Sequence, residues 1–143
     1  TFIAIISGFV ISQAMLVFVT RLKEKQYARN NQNDCMQEAF ANGQVALAIR
    51  YAGQVISTAL AVTAASYFWS YNPDTLAYTL AGWFVFSIVM SVLVALLTAL
   101  AKKLILWGIN LVEEVDQQHN IGVASVEMAI SISIALILTG LMA

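Results

Sequence analysis

The chain has 143 residues, of which 60% are hydrophobic and 10% charged, and its formal net charge is −1. Soluble domains carry about 25% charged residues, so this composition excludes an ordinary water-soluble globule and points to the membrane. The near-neutral balance supplies no basic field for nucleic acid, and the single cysteine, Cys35, excludes an internal disulfide.

A helix needs about 20 mostly apolar residues to cross the hydrocarbon core. Four segments reach that length. The first, Phe2–Thr20, lacks the basic flank and small-residue cleavage site of a signal peptide. Arg21–Asn42 follows it and is polar; helix is expected at both of its ends, with a break at Asn30-Asn31-Gln32-Asn33. The second span, Gln44–Ser70, is interrupted only by Arg50. Tyr71-Asn72-Pro73-Asp74 has the composition of a tight turn, and it joins the second span to the third, Thr75–Ala101, as a helical hairpin. In Lys102–His119, Leu104, Gly108, Leu111 and Val115 recur at helical spacing, with Lys, Asn, Glu and Asp on the other face. That pattern predicts an amphipathic helix, continuing span three or lying on the membrane surface. The fourth span, Asn120–Ala143, is interrupted only by Glu127.

The expected fold is therefore an all-α membrane protein with four transmembrane helices. Residues 1–70 form one helix pair with its connection, 71–74 the hairpin turn, and 75–143 the second pair. The Lys and Arg residues outside the spans (Arg21, Lys23, Lys25, Arg29, Lys102 and Lys103) all follow span one or span three. The positive-inside rule then places both termini outside, with the basic segments in the cytoplasm. Tyr67, Trp69, Tyr71, Tyr78 and Trp83 mark the outer interface in this topology, and Trp107 the inner. Cys35 falls on the cytoplasmic side, where thiols stay reduced.

Each half reads as span, charged connection, span. That order predicts two parallel repeats about an axis along the membrane normal. At an offset of 76, residues 44–53 lie over 120–129 and Ser57 falls on Ser133; an offset of 78 matches Asn42 to Asn120 about as well. Two stripes of small residues at four-residue spacing favour the first register. Gly53, Ser57, Ala61 and Ala65 form one on span two, and Ser125, Ala129 and Ser133 form the other on span four. Small residues at this spacing let helix backbones approach closely, so spans two and four are expected to be the packed central pair. Spans one and three are bulkier (Phe9, Leu16, Phe18; Trp83, Phe84, Phe86) and are expected to face lipid.

The starts of spans two and four, at Gln44 and Asn120, share a pattern. Each is an Asn or Gln followed by alternating apolar and small residues, with a small residue near the tenth position. This pattern resembles the bacterial "domain of unknown function 350" membrane proteins, also called the YjfL-like family, over essentially the whole chain. An acid shortly before each motif fits as well, Glu38 in the first half and Asp116 in the second. The sequence departs from the pattern at Gln44, where the resemblance implies Asn, and at Arg50, where it implies an apolar residue. The resemblance implies a bacterial inner-membrane protein with two pairs of transmembrane helices and no known activity.

Of the seven basic and eight acidic residues, only Arg50 and Glu127 interrupt a span. Arg50 lies six residues into span two, about 9 Å at 1.5 Å per residue, and Glu127 seven residues into span four from the same side. Opposite charges at one depth on adjacent helices are expected to pair, because each alone carries a desolvation cost that the other offsets. Three readings follow: a structural ion pair fixing helix register, a proton or cation path through Glu127, and an intersubunit contact that sets an oligomer. Gln13, Gln54, Thr58 and Thr63 either line such a path or bond to helix backbone. Glu113, Glu114, Asp116 and His119 read as a solvated acidic face rather than a metal site.

No phosphate loop, nucleophile elbow, His pair or Cys pair is present in the sequence. The expected protein is therefore non-catalytic, without metal or cofactor. Its expected role is a membrane scaffold or subunit that works as a homo-oligomer or with a membrane or cytoplasmic protein partner. The alternative is an oligomeric transporter or channel-like protein using Glu127.

Overall fold

A computed structural model describes residues 2–32, 34–68 and 72–143, and among these it contains helices and turns but no strand. Helix α1 (Phe2–Asn30) runs past its apolar span by about three turns. It ends at Asn31 and Gln32, where Gln32 adopts a left-handed φ of 57°. A short helix, α2 (Met36–Ala41), leads to α3 (Val45–Ser66). Pro73–Thr75 forms a 3₁₀ turn in which the Asn72 side chain accepts a hydrogen bond from Asp74 N. Helix α4 is Leu76–Ile105, and α5 is Ile121–Met142. Four helices are thus long and apolar enough to cross a membrane, and the chain is a multi-pass membrane protein. Trp69 and Tyr71 of the expected aromatic belt, and Asn33 of the expected break, lie outside the described residues.

The α3–α5 contact is the most extensive in the bundle; α4 packs against both helices, and α1 packs less extensively, against α3, α4 and the short α2. Small residues explain why α3 sits at the centre. Gly53, Ser57, Ala61 and Ala65 are all buried along it. At Gly53 a β-carbon would stand 2.8 Å from the Met128 Cα, so glycine alone permits this helix separation. Farther along, Ala61, Ala64 and Ala65 pack with Met90, Val94 and Ala135. The Thr139 hydroxyl, which donates to Ala135 O of its own helix at 2.7 Å, also lies 3.2 Å from Leu60 O across the same interface.

Two expectations about helix faces need correction. Ala129 and Ser133 are exposed on α5 and Ser125 is half-buried, so the second small-residue stripe does not face α3. At 100° per residue, positions two away from Glu127 lie about 200° around the helix from it. With Glu127 turned to α3, Ser125 and Ala129 necessarily point away. The inward face is instead Ala124, Glu127, Ser131 and Ala135. Trp83 and Phe86 likewise do not simply face lipid, since both pack against the alanine cluster. Gly8 of α1 makes room for the Trp83 ring, which a β-carbon there would meet at 2.8 Å. Phe9, Phe18 and Phe84 are exposed, as lipid-facing residues are.

The segment Lys102–His119 is not one amphipathic helix. Helix α4 stops at Ile105, and the chain turns through Gly108, whose φ of 78° suits glycine and breaks the helical path. Val112–Gln117 then forms a single π-helical turn. Leu104, Ile105, Trp107 and Ile109 are exposed, whereas Val115 and Asp116 are buried. Val115 packs between α3 and α5 against Ala46 and Ala124, which draws the turn in among the helices.

Candidate functional site: a buried charge network

Arg50 occupies the second turn of α3, and its guanidinium reaches into the bundle. Nε donates to Glu127 Oε2 at 2.6 Å, Nη1 donates to Asp116 Oδ1 at 2.6 Å, and Nη2 donates to the carbonyl of Leu111 at 2.9 Å. One planar cation therefore ties α3 to α5 and to the π-helical turn, a fork geometry that lysine lacks. The second Glu127 oxygen faces Lys102 Nζ, from the last turn of α4, at 3.1 Å. The second Asp116 oxygen accepts from Asn31 Nδ2 at 2.9 Å, and the same amide donates to Tyr27 O at 2.9 Å. All four carboxylate oxygens have a partner.

The carboxylates are the most deeply buried members, with side-chain exposures of 2% for Asp116 and 3% for Glu127, against 14% for Arg50 and 17% for Lys102. Burying one such charge alone costs several kcal/mol or more. Here two cations and two anions cancel; Arg50, Asp116 and Glu127 are hydrogen-bonded, and Lys102 is held by its ion pair. The worth of such a network lies less in net stability than in what its loss would leave behind: an unpaired buried charge is the expensive state.

Local structure aims each group. Asn120 caps α5, its side chain accepting from Val123 N at 3.1 Å and donating to Glu114 Oε2 at 2.8 Å. This fixes where α5 begins, and hence the direction of Glu127 seven residues on. The π-helical turn is closed by long-reach bonds, Gln118 N to Glu113 O at 2.9 Å and Asn120 N to Glu114 O at 2.8 Å. That widened turn points Asp116 inward; π turns often mark such special positions. Gln44 occupies the equivalent cap position on α3, but its side chain makes no cap bond and Oε1 is buried without a partner.

Arg50 and Glu127 thus meet within one chain. Three further members fall outside the pair read from the sequence. Asp116 belongs to the segment expected to be a solvated face, Lys102 to the topology-setting basic group, and Asn31 to an expected chain break. Asp116 did carry a signal, as the acid just before the Asn120 motif. Its counterpart Glu38 is exposed. His119 is exposed at a φ of 54° while Asp116 is turned inward, so the two do not act as an i, i+3 pair. Among the described residues no group of three or more His, Cys, Asp and Glu has metal-binding proximity. Of the other intramembrane polar groups, Thr58 donates to Gln54 O at 2.7 Å and Thr63 to Ala59 O at 3.0 Å, each within its own helix. Gln13 is exposed.

A small cavity of about 240 Å³ borders the network and is lined by Lys23, Gln54, Arg50, Asp116, Lys102 and Glu127 among others. The family described as Domain of Unknown Function (DUF350) matches residues 1–142 of the chain. No curated protein and no solved structure matches it.

Proposed function

Because the chain belongs to the DUF350 family, whose description assigns no activity, we propose a function from geometry alone: a non-catalytic membrane subunit, a rigid four-span body that assembles with further copies or a protein partner. The carrying observation is the saturation of Glu127. Both of its oxygens are occupied by cations, Arg50 and Lys102, which suits a lock that fixes helix register better than a group that takes up and releases protons. The outward face of α5, with Ala129 and Ser133 exposed, offers a low-relief surface for close helix contact. In this reading the basic ends of α1 and α4 lie in the cytoplasm of a bacterial inner membrane, and the termini lie outside.

The second reading is an oligomeric proton or cation conductor through Glu127. It is favoured by the cavity beside the network, which has room for several waters at about 30 Å³ each. Liposome flux separates the two. The lock reading expects no proton or cation flux above empty liposomes for wild type and for Glu127→Gln, with a detergent-corrected mass above that of one chain. Flux in wild type that Glu127→Gln abolishes would overturn it, as would a strictly monomeric protein that captures no partner.

A further inference from the structure

A larger cavity, about 950 Å³, lies between α1 and α4. It extends along α1 from Met15 to Gln26, about 16 Å at 1.5 Å per residue. Most of its wall is apolar. Phe18 and Leu22 of α1 and Val92 and Ala99 of α4 line it and are also exposed, so the cavity opens sideways between the two helices. At one end the lining changes to Lys23, Lys102 and Lys103, with Trp107 beside them. Trp107 is 80% exposed, as befits a ring at headgroup depth.

The lysines divide into two kinds. Lys102 is engaged with Glu127. Lys23 and Lys103 form no ion pair among the described residues, and the Lys23 ammonium has only Gln26 Oε1 within reach, at 3.5 Å. Since the four charges of the buried network cancel, these two cations stand as uncompensated charge at the polar end of an acyl-shaped cavity. The hydroxyls of Ser91 and Thr98 on its α4 wall are also buried without a hydrogen-bond partner.

We infer that this lateral cavity is a binding site for one anionic glycerophospholipid, its acyl chain between α1 and α4 and its headgroup phosphate at Lys23 and Lys103. The occupant enters sideways from the leaflet that holds the basic helix ends. A zwitterionic lipid offers the same chain without net charge, so the two lysines supply the selection. Each lysine near an anionic headgroup contributes about 1 kcal/mol, or about five-fold in affinity. This site does not rest on the subunit reading above and stands whether or not the protein conducts ions.

The test is native mass spectrometry of the full chain in mild detergent, titrated with dioleoyl-phosphatidylglycerol or dioleoyl-phosphatidylcholine. One phosphatidylglycerol retained per chain, preferred by about five-fold or more, is the expected result. Lys23→Gln/Lys103→Gln should remove that preference. Lys25→Gln/Arg29→Gln, exposed and outside the cavity, should keep it. Ala99→Phe should lower retention of both lipids while helical circular dichroism is unchanged. Equal retention of the two lipids by wild type overturns the inference. So does an equal loss of preference in the Lys25/Arg29 variant, or displacement of the lipid by soluble glycerol phosphate. A lipid-free dimer that Ala99→Phe dissociates would instead assign the opening to a second copy.

Discussion

Arg50 and Asp116 are 66 positions apart in sequence and meet at 2.6 Å. The contact makes the link between α4 and α5 part of the bundle rather than a loop outside it. It also turns the expected intramembrane ion pair into a five-member network, with consequences that mutation can measure.

Arg50→Ala leaves Asp116 and Glu127 without their shared partner. Removing one side of a buried pair costs about 3–5 kcal/mol, so the variant should melt well below wild type in detergent. A double-mutant cycle of Arg50→Ala with Asp116→Ala should show coupling of about 1–3 kcal/mol. Additive effects would mean that the two groups do not interact in the membrane.

Gly53→Ala tests the central interface. Its new methyl group would overlap the Met128 backbone, 2.8 Å away, which cannot rotate aside. Overpacking of this kind costs about 1–3 kcal/mol. Gly8→Ala meets only the edge of the Trp83 ring and should cost less. Thermal unfolding of the two variants side by side checks the order, and a more damaging Gly8→Ala would refute it.

The two helix caps should respond in opposite directions. Asn120→Ala removes a working cap and the bond to Glu114, a loss of about 1–2 kcal/mol. Gln44→Asn replaces a side chain that makes no cap bond with one that caps well, and should stabilise by about 0.5–1 kcal/mol. Chemical denaturation in micelles gives both signs.

Topology is open to a direct label. Cys35 is exposed and is the sole cysteine. The proposed topology, which puts the basic segments in the cytoplasm, predicts that a membrane-impermeant maleimide modifies it in inverted vesicles and spares it in intact cells. Labelling of intact cells would reverse the orientation.

The four spans were legible because length and apolarity are local properties, read without knowing any contact. The central role of α3 was legible too, since its small residues repeat with the period of one helix face. The matching stripe on α5 misled because Ser125 and Ala129 lie on the side of the helix opposite Glu127, and a charge outweighs a small-residue pattern in deciding which side turns inward. Asp116, Lys102 and Asn31 stayed hidden for a different reason. Each lies in a polar segment, where a charged or amide group is ordinarily satisfied by water. The π-helical turn carries Asp116 into the protein, the end of α1 carries Asn31 and the last turn of α4 carries Lys102, and where such segments end or widen leaves little trace in residue type.

The two positive and two negative charges around Arg50 have a consequence wherever a voltage falls across the membrane that holds the protein. A single charge carried across the bilayer feels about 2.3 kcal/mol per 100 mV. A cluster of zero net charge, displaced as a body, feels none of it. Moved as one unit, Arg50, Lys102, Asp116 and Glu127 therefore give a transmembrane field no net charge to pull on.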